Sequence, residues 1–273
     1  MSDTDVSEST VIDVTMKGQS HLVVILGDAK VIKESAKKLR SLGKMIRVGR
    51  GAFLIHGQIP RSQSLLQDLP TIVFKKAREI PSVSERGKEA SNRGVYSVVS
   101  YRFKNPTDTQ KKRVERLVRR SSSIRLRPGV LLFPVLRLKE RRRLQESGKK
   151  NVLIESRKLS EELRGLGAEV FRWSRLKITG NLSEIHNAVA RTISNDFTYF
   201  ETLAKDLRNQ AKRPGAQPKI LKKRYAILSK RYGELKFKWS SASKIWSCDA
   251  SKLLTRCYNM MLSVRRVIDS TIS

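Results

Sequence analysis

Carboxylates are scarce in this 273-residue chain: 25 Asp+Glu stand against 57 Lys+Arg, and 57 − 25 leaves a formal charge of +32. So few acids give little material for paired-carboxylate catalysis. Histidine is equally thin. His21, His56 and His186 stand apart in sequence, without the HxxxH or HExxH spacing of a zinc centre. The two cysteines, Cys248 and Cys257, have no second pair to complete a zinc site and read as buried or half-buried thiols. No apolar run approaches the ~20 residues of a membrane span. Gly49 and Gly51 lack the Lys-Ser/Thr sequel and the following helix of a phosphate-binding loop, and no nucleophile elbow occurs. The start, MSDTDVSEST, lacks the basic-then-apolar order of a secretory signal. The expectation is a cytoplasmic, non-enzymatic protein without cofactor, metal site or membrane anchor.

What is present is positive charge. A small domain stays soluble with a net charge of about 2–8, and a larger excess repels itself in the compact state. A charge of +32 therefore points to a polyanionic partner, with nucleic acid, DNA or RNA, as the expected one. The charge is unevenly placed. Residues 1–16 hold Asp3, Asp5, Glu8 and Asp13 and no cation, so 1–18 reads as a disordered acidic tail. Residues 101–150 hold 17 cations and four acids, and residues 205–238 hold 12 and two.

A duplication organises the first two thirds. Ile46–Ile55 (IRVGRGAFLI) and Ile124–Phe133 (IRLRPGVLLF) lie 124 − 46 = 78 positions apart and share Ile, Arg, Gly and one Leu in place. Each follows a short β-rich run, 21–26 and 96–101, and a basic amphipathic helix. In the first copy Asp28 caps a helix with Val31, Ile32, Ala36, Leu39 and Leu42 on its apolar face. A hairpin spans 44–57, a short helix Ser62–Leu69, and a strand Thr71–Lys75. In the second copy Asn105–Asp108 opens a helix with Val114, Leu117 and Val118 inward. A hairpin spans 123–135, a helix Leu153–Leu166, and a strand Glu169–Arg175. This βαββαβ order predicts two tandem ferredoxin-like domains, 19–78 and 95–180, in an α+β chain, with 79–94 as linker. Residues 181–273 are predicted helical, with an antiparallel helical hairpin broken at Pro214-Gly215 and Pro218.

From Tyr96 onward the chain resembles the amino-terminal domain of the chromate-resistance regulatory protein family. The resemblance rests on Asp108–Leu117 (DTQKKRVERL), Pro128–Pro134 (PGVLLFP), Leu163–Phe171 (LRGLGAEVF) and Asp196–Leu207 (DFTYFETLAKDL). The same small unit is similar to CRISPR-associated spacer-acquisition proteins and to part of the phenylacetate-catabolism repressors. It implies a ferredoxin-like fold with a helical tail, associated with nucleic acid. Arg102 stands near the place where the CRISPR-associated group carries a metal-ligating Asp, and no winged helix-turn-helix precedes the sandwich.

Four groups of residues are the expected phosphate contacts. The densest run is Arg137, Lys139, Arg141, Arg142, Arg143, Lys149 and Lys150. The helix cations Lys111, Lys112, Arg116, Arg119 and Arg120 form a second group. Arg47, Arg50, Arg125 and Arg127 form a hairpin group that, under the duplication, would straddle a duplex as a pseudo-twofold pair. Lys222, Lys223 and Arg224 form the last. Trp239, in Lys236-Phe237-Lys238-Trp239, is the expected base-stacking residue, whereas Tyr225 and Tyr232 read as core. The alternatives are a metal-dependent nuclease using Asp28 or Asp108, and a scaffold for an acidic protein. Either an intrachain pseudo-dimer or a homodimer fits the duplication.

Overall fold

The computed structural model describes residues 20–57, 69–76, 95–135, 153–179, 182–215, 217–246 and 248–272. It is an α+β protein: one eight-stranded antiparallel sheet with interspersed helices, followed by a helical region. The strands are β1 (Ser20–Ile25), β2 (Lys44–Gly49), β3 (Ala52–His56), β4 (Thr71–Lys76), β5 (Tyr96–Arg102), β6 (Ile124–Arg127), β7 (Val130–Pro134) and β8 (Glu169–Ile178). They lie in the order β2-β3-β1-β4-β8-β5-β7-β6. The first half thus repeats in the second in mirror order, with β4 beside β8. The hairpins repeat in detail: β2 is bulged between Arg47 and Gly49, and β6 between Arg125 and Arg127, again 78 positions on.

Helices cover the outer faces. On the first half lies α1 (Ala29–Leu39), whose N-cap Asp28 accepts the Val31 amide at 2.9 Å. It covers Val23, Ile25, Phe53, Ile55 and Val73. On the second half lie α2 (Asp108–Arg119) and α3 (Ser156–Gly165), over Val99, Leu131, Phe133 and Val170. A reciprocal Thr107–Gln110 capping box starts α2. The strands alternate, so each half also has an inner apolar face, with Leu22, Val24, Leu54 and Phe74 on one and Val98, Val130, Leu132 and Leu176 on the other. Both belong to one core.

The shared core requires the sheet to fold over on itself. β2 and β5 are five steps apart in the sheet, about 24 Å if it were flat. Yet Ser100 Oγ donates to Val48 O at 2.9 Å. The equivalent pair, β6 and β1, also spans five steps, and there the Arg127 guanidinium donates to Ile25 O. Gly49 makes the first contact possible, because a methyl group there would run into Ser100 Oγ.

On its β8 side the seam lies in residues the sequence pattern did not assign to a strand. The pattern ended the last strand at Arg175; β8 continues to Ile178. Arg175 has φ +57°, beside a bulge opposite Tyr96 and Val98. This re-aims the strand so that Leu176, Lys177 and Ile178 pair with Lys76, Lys75 and Phe74. The helix expected over Leu153–Leu166 starts only at Ser156, because Ile154 bridges to Ser121. The expected tail and linker, and the Ser62–Leu69 helix apart from Leu69, lie outside the described residues.

The helical region comprises α4 (Leu182–Ala211), α5 (Pro218–Trp246) and α6 (Ser251–Ile272). Asp196 meets Lys238 and Trp239, Tyr199 meets Arg231, and Gln210 meets Arg224, so α4 and α5 run antiparallel as expected. Ile185, Val189, Phe197, Phe200 and Leu207 of α4 are buried, with Tyr225 and Tyr232 packed partly buried against the same core. Trp246 stacks on Tyr96, at 5.8 Å between centroids, and ties α5 to the inner sheet face. Cys257 is buried and Cys248 half-buried; burial raises the Cys257 thiol pKa to about 11.

Gly49→Ala should cost about 1–3 kcal/mol by overpacking this contact, measured by urea unfolding. Adding Ser100→Ala should return part of that loss; a Gly49→Ala protein of unchanged stability would contradict the close approach.

Candidate nucleic-acid interface

The structure separates the expected cations into an exposed set and a withdrawn set. Lys111, Lys112 and Arg116 on α2, and Arg120 at its C-cap, are exposed, because Val114 and Val118, one helical turn apart, turn into the core. Lys222, Lys223 and Arg224 are exposed on α5, with Arg224 bonded to Gln210 of α4. Arg47 and Arg125, equivalent under the duplication, are both exposed, as is Arg50 at the β2–β3 turn. Arg137, Lys139, Arg141, Arg142, Arg143, Lys149 and Lys150 lie outside the described residues.

Two expectations need correction. Arg127 does not project from its hairpin; it is 7% exposed and reaches across the folded sheet to Ile25 O and Gly27 O. Its duplication partner is Gly49, which has no side chain to compete for the space. Burial, then repulsion from Arg50 and Arg47, holds its pKa below the usual arginine value. Arg127 is thus a strut between the halves and offers no surface to a duplex. Trp239 is not a stacking platform either. It is fully buried against Phe197, and its indole Nε1 donates to Asp196 at 3.0 Å. The neighbouring cation made this segment look exposed, but Lys238 is itself buried, its Nζ 2.9 Å from the same Asp196 carboxylate.

The nuclease residues are otherwise engaged. Asp28 caps α1, and Asp108 pairs with Lys111 at 3.0 Å. Among the described residues no three His, Cys, Asp or Glu side chains are grouped to hold a metal.

The clearest constellation is one that sequence reasoning did not assemble. An open cavity of about 170 Å³ lies between α2, β6, α4 and α5, lined in part by Arg119, Arg125, Asn195, Asp196, Tyr199 and Lys238. Arg119, on the last turn of α2, is half-buried, with its guanidinium 4.4 Å from the Tyr199 ring centroid. Arg231 of α5 approaches the same ring at 5.6 Å and donates to its hydroxyl at 2.8 Å. Thr192 of α4 anchors β6 by accepting the Arg125 amide at 3.2 Å. Arg119 has Glu115 at 3.8 Å, whereas neither Arg125 nor Arg231 has an ion pair among the described residues. Arg119 and Arg125 thus meet here, while Arg47 and Arg50 belong to the opposite half of the sheet. Tyr199 was legible in one respect: it is an aromatic residue off the Phe197, Phe200, Leu203 stripe, and it is 40% exposed.

Tyr199 carries the electrostatic signature of this cluster. Burial raises its phenol pKa, but the hydrogen bond and charge of Arg119, with those of Arg231, outweigh that and lower it. Burial raises Tyr96, Tyr101 and Tyr232. Comparison with known proteins identifies no relative: no protein-family model, no curated protein and no solved structure matches the chain.

Two outcomes follow. In a spectrophotometric titration one phenol, Tyr199, should ionise below the normal tyrosine range, and Arg119→Gln should move it upward; a titration unchanged by that substitution would contradict the coupling. Asp196→Ala strands Lys238 in a buried site and should cost about 3–5 kcal/mol in denaturant unfolding.

Proposed function

We propose that this chain is a non-enzymatic nucleic-acid-binding protein, regulatory or part of a nucleoid or ribonucleoprotein assembly, that grips DNA or RNA through its phosphates. The order β2-β3-β1-β4 in one half and β6-β7-β5-β8 in the other supports reading each as the ferredoxin-like unit expected from the sequence. We read the folded-over sheet as two such units forming a pseudo-dimer within one chain.

The observation that carries the reading is unpaired cationic surface. Of Lys111, Lys112, Arg116, Arg119 and Arg120, only Lys111 and Arg119 have a carboxylate partner among the described residues. Arg47, Arg50, Arg125, Lys222, Lys223 and Arg224 have none there. Each internal ion pair cancels one cation with one acid, so pairing leaves the whole +32 excess uncompensated. A polyphosphate chain supplies serial charge at the required density, with a gain from counterion release at each contact. Arginine is suited to it because its fork can take two phosphate oxygens.

Binding to duplex DNA, single-stranded DNA and structured RNA across a salt series tests this. The logarithm of the affinity should fall steeply with that of salt, by about 0.9 for each duplex phosphate neutralised. Arg116→Ala should weaken all sequences alike and reduce the slope by about one. An absence of binding at low salt, with salt-sensitive capture of an acidic protein instead, would replace this reading with the scaffold.

A further inference from the structure

We propose that the cavity between α2, β6, α4 and α5 accepts one unpaired, single-ring base of a nucleic-acid strand. The inference rests on the nucleic-acid reading above and specifies the form of polymer that the site selects.

Size limits the occupant first. A cavity of about 150 Å³ takes up one benzene ring; this one, at about 170 Å³ and open to solvent on one side, has room for one six-membered heteroaromatic ring. The lining chemistry limits it further. A site for a free phosphate would present donors and cations alone. Here Glu115 and Asp196 share the wall with Arg119, Arg125 and Asn195. Carboxylates accept from the exocyclic amino group of a base such as cytosine. Asparagine can both donate and accept, and the guanidiniums suit ring carbonyls and the flanking phosphates. Mixed donors and acceptors inside, with cations alongside, match a nucleotide within a strand.

The site is also preorganised. Asp196 is held on the floor by Lys238 at 2.9 Å and Trp239 at 3.0 Å. Tyr199 is held by Arg119 and Arg231, and the residue remains 40% exposed. Side chains already fixed lose little further freedom on binding. The Lys238–Asp196 pair is expensive as mere packing, since an apolar pair of similar volume is often as stabilising; a half-buried acceptor in the cavity lining gives it a use. A base inside a duplex reaches such a cavity only by leaving its stack, so single strands and unpaired loops are the preferred ligands.

Fluorescence anisotropy at one fixed ionic strength tests this with three labelled probes: a short oligodeoxycytidine, an abasic strand of equal length and phosphate number, and the matched duplex. The wild-type chain should bind the cytidine strand about tenfold more tightly than the abasic strand, the scale of one base contact. The duplex should show no such gain per phosphate. Asn195→Leu, at an exposed helix position, removes the wall amide that both donates and accepts, and should bring the ratio close to one. Equal wild-type binding of cytidine and abasic strands, or a base preference that survives Asn195→Leu, overturns the pocket and leaves phosphate binding standing. Failure to bind any probe at low salt overturns both.

Discussion

Each half of the sheet is apolar on both faces, and its own helices cover only the outer one. The inner faces must therefore be buried against each other. Leu22, Val24, Leu54 and Phe74 on one half, and Val98, Val130, Leu132 and Leu176 on the other, are fully withdrawn from solvent. Burial at about 25 cal/mol per Å² drives the closure without direction. Direction comes from three devices: the β4–β8 seam, the Ser100–Val48 contact that Gly49 permits, and the Arg127 strut. The helical region then packs onto the same core through Trp246 and Tyr96. The cavity exists only because this closure sets α4 and α5 beside β6 and the end of α2.

A chain of such charge must also solve where its cations go. Among the described residues two are buried, each with its partner supplied by the fold: Lys238 by the Asp196 carboxylate, Arg127 by backbone carbonyls. Around Tyr199 the solution is intermediate. The ring and hydroxyl hold two guanidiniums without neutralising them, so both are positioned while keeping most of their donors. Arg119 keeps one carboxylate neighbour, Glu115 at 3.8 Å, while Arg231 has none among the described residues; charge positioned in this way has met its entropy cost on folding.

Local patterns were legible because they depend on near neighbours. The Asp28 cap, a helix start within Asn105–Asp108, both hairpins and the apolar stripe of α4 follow from residues one to four positions apart. Arg127 and Trp239 were misjudged for the opposite reason. Arg127 is held by a carbonyl 102 positions away, and Trp239 by a carboxylate 43 positions away. Arg231 and Tyr199, 32 apart, become neighbours only when α4 and α5 pair.

The amino-acid sequence by itself determined the duplicated strand-and-helix units, the helical end and the charge excess, since alternation, capping and ionisation act over short range. The tertiary structure alone decided that the units share one sheet and core, which cations withdraw from the surface, and that Arg119, Arg125 and Tyr199 surround one cavity. Those outcomes depend on strand extension past Arg175 and on contacts between distant segments, which no local pattern encodes.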